Sequence, residues 1–380
     1  MPTSVLDRLR RLWRNVHLWI GVGLLVLLAP LGVSGAMLVW HDGLEQLLHP
    51  KRFAVGEGGP VRPVSAYLAA SQAALGDRAS VSQIRMPKDG AGPIVISARI
   101  NGQAPRPGER PRSLTVWLDP ATARVLDVAN TRNELINIMH RLHGSLLIST
   151  PGLGRKIVGW LGWAMTLSCV TGLWLWWPRN GKLFMGLRWR RSPSTMTNLH
   201  HLVGFWILVP LLAVSLTGVY ISFPDTSRAV FGVGERVAGP RPPRPLPAPP
   251  LVSQATDIDR AVALASAAQP GLELISITLP THGREPAWRL QFAAAGLETP
   301  ISIQVADSDG QVRKPRAGTG SRTPRDSLSP IMQKIHDAQK APLVWQVLVF
   351  LTGLAPVLLG LSGAWMWIRR LRPQSKTASH

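Results

Sequence analysis

The sequence has a single cysteine, Cys169, among 380 residues. A single cysteine excludes an intramolecular disulfide, so cysteine usage does not indicate a redox compartment. The chain also lacks a G-x-G-x-x-G fingerprint and a phosphate-binding loop, the usual motifs for bound nucleotides. No cluster of Cys, His, Asp and Glu offers the four tetrahedral ligands that zinc requires. These absences disfavour nucleotide-dependent and zinc-dependent chemistry.

Charged residues are nearly absent from four long apolar runs, near 16–40, 157–177, 202–223 and 343–368. A membrane span needs ~20 apolar residues, so each run is long enough to cross a bilayer. The first run follows the basic stretch "LDRLRRLWRN" but exceeds the ~7–15 residues of a signal-peptide core, and no A-x-A-like cleavage site follows it. We therefore predict a retained signal anchor and four transmembrane helices.

The formal net charge of +21 arises partly from basic residues in short segments beside the apolar runs. These residues are Arg8, Arg10, Arg11 and Arg14, then Arg179, Lys182, Arg188, Arg190 and Arg191, and finally Arg369, Arg370, Arg372 and Lys376. The positive-inside rule places all three segments, and hence both termini, in the cytoplasm. The charge therefore reflects topology, and the predicted partner is the lipid bilayer, with no nucleic acid.

The predicted organisation alternates membrane helices with extramembrane segments. In order it comprises a cytoplasmic N-terminus (1–15), transmembrane helix 1 (16–40), a first periplasmic unit (41–156), transmembrane helix 2 (157–177), a basic cytoplasmic loop (178–199), transmembrane helix 3 (200–223), a second periplasmic unit (224–342), transmembrane helix 4 (343–368) and a cytoplasmic tail (369–380).

The two halves of the chain resemble each other. His17, Gly21 and Gly35 recur as His200, Gly204 and Gly218, each 183 residues further along, and "TGLWLWWPR" near the end of the second run matches "SGAWMWIRR" near the end of the fourth. Two helices return each repeat to the same side of the membrane, so the repeats are parallel and related by an axis along the membrane normal. The sequence is therefore an internal duplication.

Each extramembrane segment has a helix-like stretch followed by strand-like stretches. "VSAYLAASQAAL" precedes "VSQIRM", "PIVISARI", "SLTVWLDP" and "ARVLDV", and "IDRAVALASAAQ" precedes "LELISITL", "AWRLQFAA", "PISIQVAD" and "GQVRK". Apolar spacing and β-branched residues favour these assignments. Proline-rich 239–250 and segment 318–330 have the composition of linkers. The predicted fold class is an α-helical integral membrane protein with two α+β periplasmic units.

Four histidines occupy equivalent places in the two halves. His17 and His200 lie at the start of helices 1 and 3, while His143 and His336 precede helices 2 and 4. If the halves face each other, one pair meets near each membrane surface. Two facing imidazoles with small residues nearby can hold a haem through both axial positions. A polar role at the membrane interface is the alternative for all four.

Three other histidines are second choices. His201 is adjacent to His200, His140 is one helical turn before His143, and His41 lies at the outer end of helix 1. Six glycines in the apolar runs would let a macrocycle or a neighbouring backbone approach, or they serve helix packing. They are Gly21, Gly35, Gly172, Gly204, Gly218 and Gly363. The sequence leaves open both the choice of histidine ligands and the role of these glycines.

Several motifs together resemble the PepSY-associated transmembrane proteins, found among the iron-regulated inner-membrane proteins of Gram-negative bacteria. The motifs are "VHLWIG", "LHHLVG", "RLHGSLL", "TGLWLWWP", "IHDAQ" and "VWLDPATARVLDV". Some members of this family are di-haem reductases of ferric siderophores. The resemblance implies two b-type haems, with the ligand role on His17, His143, His200 and His336. It further implies reduction of Fe(III) to Fe(II) in a periplasmic siderophore, expected to be of the hydroxamate type.

The electron donor would have to be another molecule, since the cytoplasmic parts are too short for a flavin or nicotinamide domain. A cytoplasmic reductase, reduced flavin and membrane quinol are all candidates, and the cleft between the outer units is the expected docking site of the chelate. Two other functions compete with the reductase. One is a non-enzymatic binding or regulatory module of an iron-uptake system, anchored by the helices. The other is an iron transporter, which the scarcity of charge inside the four runs disfavours.

Overall fold

The structure is a computed structural model that describes residues 5–56, 61–87, 92–102, 112–177, 192–231, 248–251, 253–293, 300–313, 328–339 and 341–371. The chain divides into two compact units. The first comprises Met1–His41, Ile138–Gly234 and Arg325–His380, and the second comprises Asp42–Asn137 and Glu235–Pro324. The basic residues between Arg179 and Arg191, and most of the proline-rich segment 239–250, lie outside the described residues.

The described helices and strands are numbered in chain order. The helices are α1 Val5–Gly23, α2 Leu25–Val39, α3 His41–Leu48, α4 Val64–Leu75, α5 Leu135–Ser145, α6 Leu153–Trp176, α7 Thr195–Ser222, α8 Pro224–Phe231, α9 Ile258–Ala267, α10 Leu328–Asp337 and α11 Leu343–Leu371. The strands are β1 Ala79–Arg85, β2 Ile94–Ile100, β3 Ser113–Leu118, β4 Val125–Ala129, β5 Glu273–Thr278, β6 Ala287–Ala293, β7 Ile301–Ala306 and β8 Val312–Arg313.

Three helices in the described part of the chain, α6, α7 and α11, are long and apolar enough to cross a membrane. A fourth span is present if α1 and α2 are taken together, although they meet at an angle of 64°. The break follows Gly21 and Gly23, and glycine is the poorest helix former after proline. The first predicted span is therefore a bent pair of helices.

The first unit is a helical bundle. The main contacts join α2 to α11, α6 to α7, α7 to α11 and α1 to α6. Where α2 crosses α11, a side chain at Gly32 would overlap the backbone carbonyl of Gly353, so small residues set this close approach. Trp160 and Trp206 are each 67% exposed on the bundle surface, as expected for side chains that face lipid.

The second unit contains one antiparallel sheet of eight strands in the order β4-β3-β2-β1-β5-β6-β7-β8. Each half of the chain supplies four strands, and the halves join where Ile84 of β1 lies opposite Ile277 of β5. The helix-and-strands pattern predicted for each half is present. The sequence did not predict that the equivalent strands β1 and β5 would pair and merge the two halves into one sheet.

A single hydrophobic core backs this sheet, and both halves contribute to it. Tyr67, Ile84 and Leu118 from the first half are fully buried in the same cluster as Ile277 and Phe292 from the second. Helices α4 and α9 meet at their N-termini, where the Ser65 hydroxyl and amide donate to the Asp259 carboxylate. Each half therefore completes the core of the other.

Segment 318–330 is not a linker throughout its length. Leu328 begins α10, and Pro330 occupies the third position of that helix. The first-turn amides of a helix have no intrahelical acceptor, so proline is tolerated there without loss of a hydrogen bond. Proline in the first turn is compatible with a helix start, so the proline content of this segment does not indicate a linker at its C-terminal end.

Candidate functional site

Two pairs of histidine rings face each other inside the helical unit. The ring centroids of His17 and His200 are 6.2 Å apart, with an interplanar angle of 86°. The centroids of His143 and His336 are 5.9 Å apart, with an interplanar angle of 45°. The structure thus brings together both pairs that the repeat predicts to lie close.

Each of the four rings has its Nδ1 atom hydrogen-bonded to a neighbouring helix. His17 Nδ1 lies 3.0 Å from Thr171 Oγ1 and 3.2 Å from the Ser168 carbonyl oxygen. His200 Nδ1 lies 2.9 Å from Ser362 Oγ. In the second pair, His143 Nδ1 is 2.9 Å from the Leu31 carbonyl oxygen, and His336 Nδ1 is 3.0 Å from that of Val214 and 3.2 Å from Thr217 Oγ1.

These partners determine which ring nitrogen carries the proton. A carbonyl oxygen can only accept, so Nδ1–H donates in His17, His143 and His336. For His200 the partner is a hydroxyl, but Ser362 Oγ donates its own hydrogen to the Leu359 carbonyl and so accepts from Nδ1–H. The lone pair is therefore on Nε2 of all four rings, the arrangement found in metal-ligating histidines.

A glycine of another helix lies beside each ring. A Cβ atom at Gly35 would stand 2.7 Å from His143 Cε1, one at Gly218 would stand 3.0 Å from His336 Cε1, and one at Gly172 would stand 3.1 Å from His17 Cε1. At Gly363 the distance to His200 Cε1 would be an ordinary 3.7 Å. Four of the six glycines predicted to admit a macrocycle or a backbone thus admit the histidine rings themselves. The other two do not, since nothing lies within 4 Å of a Cβ at Gly21 and a Cβ at Gly204 would be 3.8 Å from Leu359 Cδ2.

The sequence contains a signal for this arrangement that the sequence analysis missed. Each of these four glycines follows a hydroxyl residue, in the dipeptides Ser34–Gly35, Thr171–Gly172, Thr217–Gly218 and Ser362–Gly363. In three of the four dipeptides, those of Thr171, Thr217 and Ser362, the hydroxyl accepts from a histidine Nδ1 and donates to a backbone carbonyl of its own helix. Ser34 only donates to its own helix, to the carbonyls of Pro30 and Leu31.

A cavity of about 440 Å³ adjoins the first histidine pair. It is lined by the rings of His17 and His200 together with His201, by apolar side chains of α1, α6, α7 and α11, and at one end by Arg10, Arg14 and Arg370. His201 therefore remains close to the site, but the ring that faces His17 is that of His200.

The rings of His143 and His336 are on short helices, α5 and α10, outside the candidate membrane spans. Burial lowers the pKa of His143 below its ordinary value and lowers the pKa of His336 to about 4. Both rings are therefore neutral at physiological pH. Neutral imidazole is the form that ligates a metal.

The second-choice residues His41 and His140 form a third contact. Their ring centroids are 5.7 Å apart at an interplanar angle of 83°. His41 Nδ1 lies 3.0 Å from the Leu38 carbonyl oxygen. The structure thus pairs His140 with His41, while His143, one turn further along α5, faces His336.

The residues of both predicted pairs fit a bis-histidine haem. A bond from a metal to an imidazole nitrogen is about 2 Å long, so one ion between two rings accounts for about 4 Å of each centroid separation. The remainder is the distance from each nitrogen to its ring centre. Within the described residues, no group of three or more His, Cys, Asp and Glu could hold a bare metal ion.

Comparison with known proteins identifies the family. The chain is 26% identical over 263 residues to the uncharacterized protein PA4219 of Pseudomonas aeruginosa, and the aligned region covers 62% of this chain and 64% of that protein. Residues 14–370 match the family described as the PepSY-associated TM region. This match covers α2, α6 and α7 in full, most of α1 and α11, and both histidine pairs. The chain is therefore a membrane protein of the PepSY-associated TM family.

Proposed function

We propose that this protein is a di-haem transmembrane oxidoreductase that reduces Fe(III) in a siderophore chelate on the periplasmic side of the inner membrane. The observation that carries the proposal is the repeated histidine geometry. Two pairs of rings face each other, every Nδ1 has an acceptor in a neighbouring helix, and every Nε2 retains its lone pair. When bound, haem supplies one-electron chemistry between ferric and ferrous iron.

The protein's own residues hold and orient the cofactor. His17 with His200 would bind one haem, and His143 with His336 would bind the other. The hydroxyls of Thr171, Ser362 and Thr217 fix the orientation of three rings, and such outer partners commonly change metal affinity 10–100-fold when removed. Apolar side chains of the bundle exclude water from the site.

The spacing of the two pairs suits transfer across a membrane. Helix α7 contains His200 of the first pair and Gly218, which contacts His336 of the second. These positions are 18 residues apart, which is about 27 Å along a helix axis at 1.5 Å per residue. A distance of this size approaches the ~30 Å hydrocarbon thickness, so the two haems would lie near opposite surfaces of the membrane, one towards the donor and one towards the ferric chelate.

The overall reaction balances as one electron per ferric ion. A donor on the cytoplasmic side gives up the electron, and Fe(III) in the chelate becomes Fe(II), which hydroxamate oxygens bind far more weakly. Reduced flavin or quinol yields two electrons and two protons, and therefore serves two ferric ions. A separate cytoplasmic reductase is the third donor class.

The first experiment is an absorption spectrum of the purified full chain, oxidised and then reduced with dithionite, together with a pyridine haemochrome count. We expect two low-spin b-type haems per chain. His17→Ala or His200→Ala should each lower the count to one, as should His143→Ala or His336→Ala, whereas His201→Ala, His140→Ala and His41→Ala should retain two.

The reductase assay follows only if haem is present. The reduced protein mixed with a ferric hydroxamate should be reoxidised as a ferrous-specific chelator develops colour. Absence of a Soret band in protein from haem-replete cells would reject the proposal and favour an anchored, non-enzymatic module. If the protein binds two haems but no ferric chelate reoxidises them, the proposed cofactor stands and the proposed substrate is wrong.

A further inference from the structure

The cavity beside His17 and His200 is chemically divided. Most of its lining is apolar, whereas Arg10 and Arg14, before His17 on α1, and Arg370, after Gly363 on α11, contribute a positively charged end. Among the described residues that line it there is no Asp or Glu to neutralise these three cations. A ligand that matches both parts has an apolar body and an anionic edge.

Helical periodicity directs two of the arginines toward the same space as the histidine. Successive residues of an α-helix are ~100° apart, so Arg10, Arg14, His17 and Gly21 form one narrow stripe along α1. All four of these residues line the cavity. Arg8 and Arg11 lie on other faces of the same helix and are not part of its lining.

The third arginine follows the same rule on α11. Gly363, Trp367 and Arg370 lie on one face of that helix and line the cavity, whereas Arg369 points elsewhere and lies over the Trp365 ring. On the opposite side, Arg10 donates to the Leu175 carbonyl near the end of α6, with Nη2 and the oxygen 3.4 Å apart. The charged end is thus assembled from two helices and adjoins a third.

We infer that Arg10, Arg14 and Arg370 bind the two carboxylate arms of the porphyrin held by His17 and His200, and so set the orientation of the macrocycle in this cavity. The inference rests on the proposed function. Guanidinium groups bind carboxylates through paired, charge-assisted hydrogen bonds. The three are positioning residues, since the iron is bound by the histidines.

The test uses the full chain with His143→Ala, which leaves only the pair beside the cavity, purified without haem. Haem and its dimethyl ester, whose carboxylates are capped, are titrated separately, and the Soret shift and the rate of loss to a haem scavenger are measured. With its arginines intact, the protein should bind haem roughly tenfold or more tightly than the ester, the effect expected for hydrogen bonds between charged groups.

Two double variants with the same change in charge separate position from charge. Arg10→Gln with Arg14→Gln should reduce the preference for haem over the ester while leaving ester binding intact, which also shows that the variant is folded. Arg8→Gln with Arg11→Gln should keep the full preference. Adding Arg370→Gln to the first variant should abolish what remains of the preference.

The possible failures are distinguishable. Equal affinity for haem and ester in the protein with intact arginines overturns the inference, and so does a preference that is undiminished in the variant lacking Arg10 and Arg14 or that survives in the variant lacking all three arginines. Equal losses in both double variants would show that only general positive charge matters, which also overturns it. If neither compound produces a Soret shift, the proposed function itself fails.

Discussion

At each of the four paired histidines, a glycine of another helix leaves space for the imidazole, and a backbone or hydroxyl oxygen accepts from its Nδ1. Glycine in a helix is less stable than alanine by about 1 kcal/mol. A glycine at these positions therefore lowers helix stability, and a need for the space it leaves would account for it. The contacts with His143, His336 and His17 provide that need.

Gly35→Ala tests this point at the tightest of the four contacts. A methyl group there would lie 2.7 Å from His143 Cε1 and 2.9 Å from its Nδ1, closer than atoms can approach, so the ring must move. We expect the haem count to fall from two to one, with the site at His17 and His200 unaffected.

Gly144→Ala is the matched control. Gly144 is next to His143 in α5, and nothing lies within 4 Å of the position its Cβ would take. The control should bind two haems, and loss of haem there would show that α5 tolerates no added methyl group for reasons other than the ring contact. Two haems in Gly35→Ala would contradict the prediction.

In both halves of the sheet, an aspartate directly after the third strand accepts hydrogen bonds from backbone amides of another segment. Asp119 follows β3 and accepts from the Gly56 amide, before α4. Asp307 follows β7 and accepts from the amides of Ala255 and Thr256, before α9. Each carboxylate therefore ties a hairpin to the segment that leads into the helix of its own half.

The contacts of Asp119 make the sheet unit sensitive to acid. The Thr122 hydroxyl, 2.5 Å from Asp119 Oδ2, is the main cause of a pKa below the ordinary value, and the amides of Gly56 and Ala121 act in the same direction against the effect of burial. A carboxylate whose pKa is lower in the folded than in the unfolded protein stabilises the folded state. This contribution is present above the unfolded pKa of about 3.9 and is lost as the pH falls through the folded pKa.

We therefore expect Asp119→Asn to destabilise the protein at pH 7 and to have a smaller effect at pH 3. The free energy of unfolding of the variant and of the unchanged protein is measured at each pH by denaturant unfolding, with hydrogen exchange of β3 and β4 as the probe. Asp309→Asn, in the exposed matching hairpin, is the control and should destabilise the protein less than Asp119→Asn at pH 7. A difference for Asp119→Asn that stays constant between pH 7 and pH 3 would refute the assignment.

A second element, the turn Pro50–Phe53, is attached to the sheet by a buried ion-pair network. Arg52 is 2% exposed, its guanidinium lies 3.9 Å from the centre of the Trp117 ring, and it donates to Asp127 at 2.7 Å and twice to Glu134 at 2.5 and 2.8 Å. Removing one partner of a buried network leaves the others without their counter-charge.

Arg52→Ala should therefore destabilise the sheet unit by about 1.5–3 kcal/mol, because the Asp127 and Glu134 side chains left without it are 37% and 19% exposed and are partly solvated by water. The measurement is the free energy of opening of β3 and β4 by hydrogen exchange in the full chain. Arg313→Ala removes an exposed pair with Glu285 and should cost no more than about 1 kcal/mol. Comparable losses in the two variants would mean that burial does not decide the strength of these pairs.

In the whole molecule, duplication produces two sites from residues that are far apart in the chain. His17 pairs with His200 and His143 pairs with His336, so each site takes one ligand from each half. Neither half alone holds two facing rings of these pairs. A single ancestral repeat would need a second copy of itself to form either site.

This arrangement predicts how double variants combine. The double variant His17→Ala with His200→Ala should bind one haem, the same number as either single variant, because both residues belong to one site. His17→Ala with His143→Ala should leave none, because each change removes a different site. Haemochrome counts per chain measure both, and loss of both haems in the first double variant would mean that the sites do not bind independently.

Much of the architecture is predictable from local sequence. The apolar runs predict the membrane helices, because length and hydropathy are local properties, and the offset of 183 residues predicts which histidines are equivalent. The bend between α1 and α2, the hydroxyls of Thr171 and Ser362, and the pairing of His41 with His140 were not predicted. These features depend on which helix faces which.

Local sequence is enough to predict that the chain is a duplicated membrane protein, that each half has a helix followed by four strands, and that four histidines stand in equivalent places. Packing of the folded chain is what joins the two halves into one sheet through β1 and β5 and brings each Ser–Gly or Thr–Gly dipeptide beside a histidine from another helix. The physical reason is the range of the interactions involved. Helix and strand formation follow from neighbours a few residues apart, whereas an imidazole and its glycine, 108 to 163 residues distant in sequence, meet only when the bundle packs.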